Sequence, residues 1–128
     1  MQIRGLHHNA YRCRDSEETR KFYEDFLGLP LVNAFEIADT KSGRKARVLH
    51  SFYAMADGSY LAFFGAPDQS FEFKAQDDFD LHIALEVPFG DLEAWLLKGT
   101  AAGIESRGIA CHPMIDSIYL RDPNSVKV

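Results

Sequence analysis

Two stretches of the chain, His8-Asn9-Ala10-Tyr11-Arg12-Cys13 and His82-Ile83-Ala84-Leu85-Glu86-Val87, share one order: His, any residue, Ala, an apolar residue, a charged residue, an apolar residue. Alternation of this kind is what a strand with one buried face requires, since successive side chains point to opposite sides. Ile83, Leu85 and Val87 are expected to pack against a helix, leaving His82, Ala84 and Glu86 on the other side; His8, Ala10 and Arg12 follow the same rule. A histidine, a small residue and a charge turned away from the helix layer suit a sheet curled around a partly polar cavity.

Working outward, both stretches lead into the same plan. After the first, which is strand-like over 6–13, Asp15-Ser16-Glu17-Glu18 offers an N-cap with Glu three residues on. The helix it opens runs to about residue 27, carries Phe22, Tyr23 and Phe26 on one face, and is closed by Gly28 and Pro30. Apolar runs 31–37, 46–56 and 60–64 follow, separated by the Ser42-Gly43 and Asp57-Gly58 hairpin signals. After the second stretch, taken as a strand over 81–87, a helix is expected over 91–102 with Leu92, Trp95 and Leu96 on one face and Gly103 as its stop. Strands 105–110 and 117–120, the Asp122-Pro123-Asn124-Ser125 turn and a final strand 126–128 complete the chain. The expected fold is therefore α+β: two βαβββ modules forming a cupped mixed sheet in a single domain over 1–128. Module one spans about 1–66, an aperiodic connector about 67–80, and module two about 81–128.

Composition bounds the partners. With 128 residues, 46% of them hydrophobic, including ten Phe and five Tyr, the chain can bury a core and suits one domain. A net charge of -5 argues against nucleic acid, whose phosphates draw on surplus Lys and Arg, and the basic run Lys41 to Lys45 reads as a solvated hairpin tip. No apolar stretch reaches a membrane span and no signal-peptide pattern precedes the first strand, so a cytoplasmic protein with a small-molecule partner is expected. Cys13 and Cys111 are too few and too far apart for a disulfide framework or a CxxC site. Dimerisation, as a homodimer, is expected because a half-open sheet leaves edges to protect.

If the two modules pair about a pseudo-twofold axis, their opening strands bring His8 and His82 together, and two neutral imidazoles are half of a divalent-metal site. His7, one residue earlier, is expected to face away from His8.

At this point the chain resembles the vicinal-oxygen-chelate superfamily, which groups glyoxalases, bleomycin resistance proteins and extradiol dioxygenases. The residues that carry the resemblance are HHNAYRCRDSEETRKFYEDFLGLPLV at 7–32, YLAFF at 60–64, DLHIALEV at 80–87 and SIYLRDPNSVKV at 117–128. The resemblance implies a divalent metal on His8 and His82, with a third, carboxylate ligand expected just beyond Val128. It also implies a small substrate chelating through vicinal oxygens. Non-ligating residues throughout 60–64 depart from the four-ligand glyoxalase pattern and favour a two-His, one-carboxylate site, hence Fe(II), with Mn, Zn or Ni as alternatives. That makes an extradiol-type dioxygenase acting on a catechol-like substrate the leading reading. A glyoxalase-like isomerase or lyase and a metal-free binding protein of the bleomycin-resistance kind are the alternatives. Tyr119 matches the tyrosine that hydrogen-bonds the substrate in the extradiol members, and alternation sends it to the cup side. Their acid–base histidine has no counterpart near Phe64, for which His112 and His50 are substitutes. Phe52, Phe63 and Phe64 are candidate walls for an aromatic substrate. Ser125 stands where the family's turn has Gly, which strains the turn if positive φ is needed.

Overall fold

The computed structural model describes residues 1–73 and 77–128 and divides them into two compact units, Met1–Glu72 and Phe73–Val128. The fold is mixed α+β, with strands β1 (His8–Cys13), β2 (Leu31–Asp39), β3 (Lys45–Ala54), β4 (Tyr60–Gly65), β5 (Ser106–Cys111) and β6 (Asp116–Leu120). Helix α1 spans Ser16–Arg20 and α2 spans Leu92–Ala101.

In the first unit the strands lie in the order β1-β4-β3-β2, with β1 parallel to β4 and the other pairs antiparallel. The Asp15 carboxylate accepts from the backbone N–H groups of Glu17 and Glu18, satisfying donors that a helix start leaves open. Past Arg20 the helix widens into a π-helical segment, Lys21–Phe26, which the sequence periodicity did not indicate. Its i+5 geometry is matched by Arg20, whose guanidinium binds Asp25 five residues on, as well as Glu17 and Glu24. Glu24 in turn accepts the N–H of Leu31 at 2.9 Å, tying the helix end to the start of β2. Phe22 and Tyr23 are both buried against the sheet, where Tyr23 meets Phe63 at a ring-centroid distance of 4.6 Å and Tyr53 at 5.8 Å. This is the core of the unit. Gly43 and Gly58 take the positive φ that the two hairpin turns demand, and residues 41–45 are exposed at the first of them.

The second unit repeats this plan with shorter pairing. The expected strand 81–87 is reduced to an isolated parallel bridge, His82 to Lys127, supported by the Ile83 N–H donating to the Lys127 carbonyl at 2.8 Å. That bridge repeats the parallel pairing of His8 with Tyr60. It shortens the expected strand because, in this register, 84–87 face no other strand among the described residues. The expected strand 126–128 likewise survives as an antiparallel bridge from Lys127 to Arg121 and two hydrogen bonds between Leu120 and Val128. Helix α2, entered through a single 3₁₀ turn over Phe89–Asp91, packs on β5 and β6. Gly99 permits that approach: a Cβ there would lie 2.6 Å from Ser106 Oγ and 2.8 Å from Leu120 Cδ2.

The two closing turns share the same pair of backbone hydrogen bonds. Met55 N–H donates to the Ser59 carbonyl and Gly58 N–H to Met55; Asp122 N–H donates to Val126 and Ser125 N–H to Asp122. Ser125 therefore takes φ 62 where Gly58 takes φ 86, and among the described residues it is the one non-glycine in that region. A side chain in the left-handed region costs roughly 1–2 kcal/mol. Ser125→Gly is expected to stabilise the protein by about 1 kcal/mol, after the entropy Gly adds to the unfolded chain. A urea midpoint that fails to rise in this variant would show the turn to be unstrained.

Candidate metal and substrate site

Burial follows the expected alternation in both opening stretches. Along β1, His8, Ala10 and Arg12 are exposed and Cys13 is buried; along 82–87, His82, Ala84 and Glu86 are exposed and Ile83 is buried. Each unit thus presents its histidine on the open face of its sheet, at the same position of the parallel pairing.

In the first unit the open face is aromatic. His8 meets Phe52 edge-on at 5.2 Å, and Phe52 is flanked by His50 at 4.3 Å and Phe35 at 5.9 Å. His50 stacks on Phe64 at 3.9 Å with 15° between the rings. Phe52 and Phe64 therefore lie on the open face with His8 and His50, and Phe35, which sequence reasoning passed over, joins them. Phe63 does not: one residue from Phe64 in a strand, it points to the helix side, is 0% exposed, and belongs to the core with Tyr23 and Tyr53. His7 also departs from expectation. It precedes β1, so strand alternation does not govern it, and its Nδ1 lies 2.8 Å from Nδ1 of His8.

In the second unit the open face is polar. Nδ1 of His82 lies 3.1 Å from the Asp78 carbonyl oxygen. A carbonyl only accepts, so the His82 Nδ1 carries the proton and Nε2 keeps its lone pair. The Asp78 carboxylate accepts from Arg121 at 3.0 Å and has Lys127 Nζ at 3.6 Å. The Arg121 hydrogen bond is the main reason this carboxyl is held below the usual range. Lys127 also lies 4.3 Å over the Tyr119 ring, with Arg107 at 4.8 Å from its centroid. The two residues singled out for substrate and proton handling are brought together: His112 Nε2 is 2.9 Å from the Tyr119 hydroxyl. Counting back from the matching bridges, Arg121 with Lys127 and Ala54 with Tyr60, Tyr119 occupies the place that Phe52 holds in the first unit.

Each unit offers one imidazole of the kind that ligates divalent cations. His82 has its outer nitrogen fixed by a backbone carbonyl, an arrangement that holds a ligating imidazole in the required tautomer. When His8 Nδ1 donates to His7, its Nε2 is free in the same way. Among the described residues no three His, Cys, Asp or Glu side chains converge on one point. Among the described residues no helix is long and apolar enough to cross a membrane.

A family model described as the Glyoxalase/Bleomycin resistance protein/Dioxygenase superfamily matches residues 5–128. Solved structures with the same fold include a mutant of the fosfomycin resistance protein FosX from Listeria monocytogenes, complexed with Mn(II) and 1S,2S-dihydroxypropylphosphonic acid. It is 18% identical with a TM-score of 0.68, covering 98% of this chain and 90% of that one. FosX from Mesorhizobium loti is 18% identical with a TM-score of 0.66, covering 98% and 89%. A glyoxalase family protein from Enterococcus faecalis is 16% identical with a TM-score of 0.70, covering 99% and 96%. At these identities the likeness is one of fold. No curated protein sequence matches significantly.

Proposed function

The chain belongs to the glyoxalase/bleomycin resistance protein/dioxygenase superfamily, and from that premise we propose that it is a metal-dependent enzyme opening a catechol-like ring at Fe(II). The observation that carries this reading is the pair of equivalent imidazoles, each on the open face of its unit, with the His82 tautomer set by the Asp78 carbonyl. In this reading His8 and His82 would be the imidazole ligands of the cation.

A bound cation would supply Lewis acidity towards the substrate hydroxyls and, as Fe(II), one-electron chemistry towards dioxygen. The chain's own residues do the rest. Phe52, Phe64 and Phe35 present apolar faces to the ring and exclude water from it. His112 Nε2 and the Tyr119 hydroxyl share a hydrogen bond, so the phenol can give its proton to the imidazole while its oxygen accepts one from a substrate hydroxyl. Arg107 and Lys127 lie over the Tyr119 ring, 4.8 and 4.3 Å from its centroid, and hold it in place beside His112.

A second reading is favoured by the fold similarity to a protein solved with Mn(II) and a vicinal diol: the same imidazoles would hold a cation acting only as a Lewis acid, with no oxygen consumed. The experiment loads the purified protein anaerobically with Fe(II) or Mn(II), removes excess metal, then adds oxygen and catechols. Retained iron and a yellow ring-opened product are the expected result. Retained metal without colour or oxygen uptake, but with turnover of another chelating substrate, selects the second reading. Failure to retain any metal overturns both.

A further inference from the structure

The aromatic floor of the first unit has one polar edge. His50 is 6% exposed and enclosed by the rings of Phe64, Phe52, Phe35 and His8, the last at 6.1 Å between centroids. Its Nδ1 lies 3.1 Å from the Phe63 carbonyl oxygen, so Nδ1 is the protonated nitrogen of the neutral ring and Nε2 is an acceptor. Nε2 has no partner among the described residues. It also keeps contact with solvent, because the one buried side-chain polar atom without a partner among them is Asn9 Oδ1. A lone acceptor in an otherwise apolar floor asks for a donor from whatever lies on that floor, since burying it unpaired forfeits its bond to water.

We propose that His50 is the specificity-determining residue of the site, selecting an aromatic vicinal diol that carries a further hydrogen-bond donor, a hydroxyl or amino group, directed at His50 Nε2. The proposal rests on the catechol-type reading above and narrows its substrate class. The three Phe rings accept any aromatic ring. His50 penalises a ring that presents hydrogen-bond acceptors or carbon there, because two acceptors then face each other or the nitrogen is left dry. Discrimination of this kind, where a buried polar group is stranded by the wrong ligand, exceeds what a missing methylene provides.

The test measures dissociation constants of the full, metal-loaded chain for benzene-1,2,3-triol and benzene-1,2,4-triol, each against its monomethyl ether in which the third hydroxyl is capped. Zn(II) serves as a redox-inert metal, so that binding alone is read. In the wild type one triol is expected to bind roughly tenfold or more tightly than its ether. In His50→Phe, which keeps the stack on Phe64, the ratio falls to about one through weaker triol binding. In His50→Gln, whose side-chain carbonyl can accept in place of Nε2, part of the preference returns. Thermal midpoints of the variants separate loss of the site from loss of the fold. Equal affinity for triol and ether in the wild type, or a preference that survives in folded His50→Phe, overturns the proposal alone. A wild type that binds neither metal nor any catechol overturns the reading beneath it, and this proposal with it.

Discussion

Substituting His82 by Ala is expected to lower the affinity for a divalent cation by roughly a hundredfold or more while barely moving the unfolding transition. The first half of that expectation comes from the role of the ring. Removing a residue that merely orients a ligand costs about 10–100-fold in affinity, and removing the ligand itself costs no less. The second half comes from its position. His82 is exposed, its side chain makes one hydrogen bond to the Asp78 carbonyl, and surface substitutions of that kind stay within about 0.5 kcal/mol. His8→Ala is expected to behave in the same way. The matched pair gives the experiment its force, because the two residues lie in different units and a common loss in both is what a shared ion predicts. Metal content after dialysis and titration calorimetry read the affinity, and a urea transition reads the stability. Stoichiometric metal retained by either single variant would remove that histidine from the ligand set.

Why the exposed faces of the two opening stretches were legible from the sequence, and the surroundings of their histidines were not, follows from the length scale of each signal. Alternation is local, and it correctly placed His8 and His82 on exposed faces opposite Cys13 and Ile83. The Asp15 cap and the Gly43 and Gly58 turns are local too, each set by backbone geometry over a few residues. What failed is what depends on a partner. The strand 81–87 has the right pattern, but a strand exists only where another faces it, and one bridge is what Lys127 supplies. The π segment after Arg20 satisfies an i+5 ion pair that an amphipathic pattern does not distinguish from a helical one. His7 escaped the alternation rule by lying just outside the strand. The His112 and Tyr119 contact joins a residue after β5 to one in β6, and the His50 tautomer depends on a carbonyl in β4. Neither is written in the spacing of the residues. The matching turns at 55–59 and 122–126 express the internal repeat more firmly than the six-residue motif that first suggested it, because the same two backbone hydrogen bonds close both.

Phe63→Ala is the second large effect, expected to destabilise the protein by about 3–5 kcal/mol. Phe52→Ala should cost clearly less. The two side chains are both aromatic, both in the central strands of the same sheet, and both plausible substrate walls on sequence grounds. Phe63 is 0% exposed and touches Tyr23 and Tyr53 beneath the helix, so its removal leaves a hole that fully buried neighbours cannot fill without shifting. Phe52 is half-buried on the opposite face, where solvent or a ligand can occupy the space it vacates. The same geometry reverses the order for ligand binding: Phe52→Ala should weaken affinity for an aromatic diol, whereas Phe63→Ala, measured under conditions where it is folded, should leave affinity nearly unchanged. Denaturant unfolding and ligand titration on the two variants separate these roles. A Phe63→Ala protein that is as stable as the wild type but binds the diol poorly would return Phe63 to the substrate wall and reverse the assignment of faces along β4.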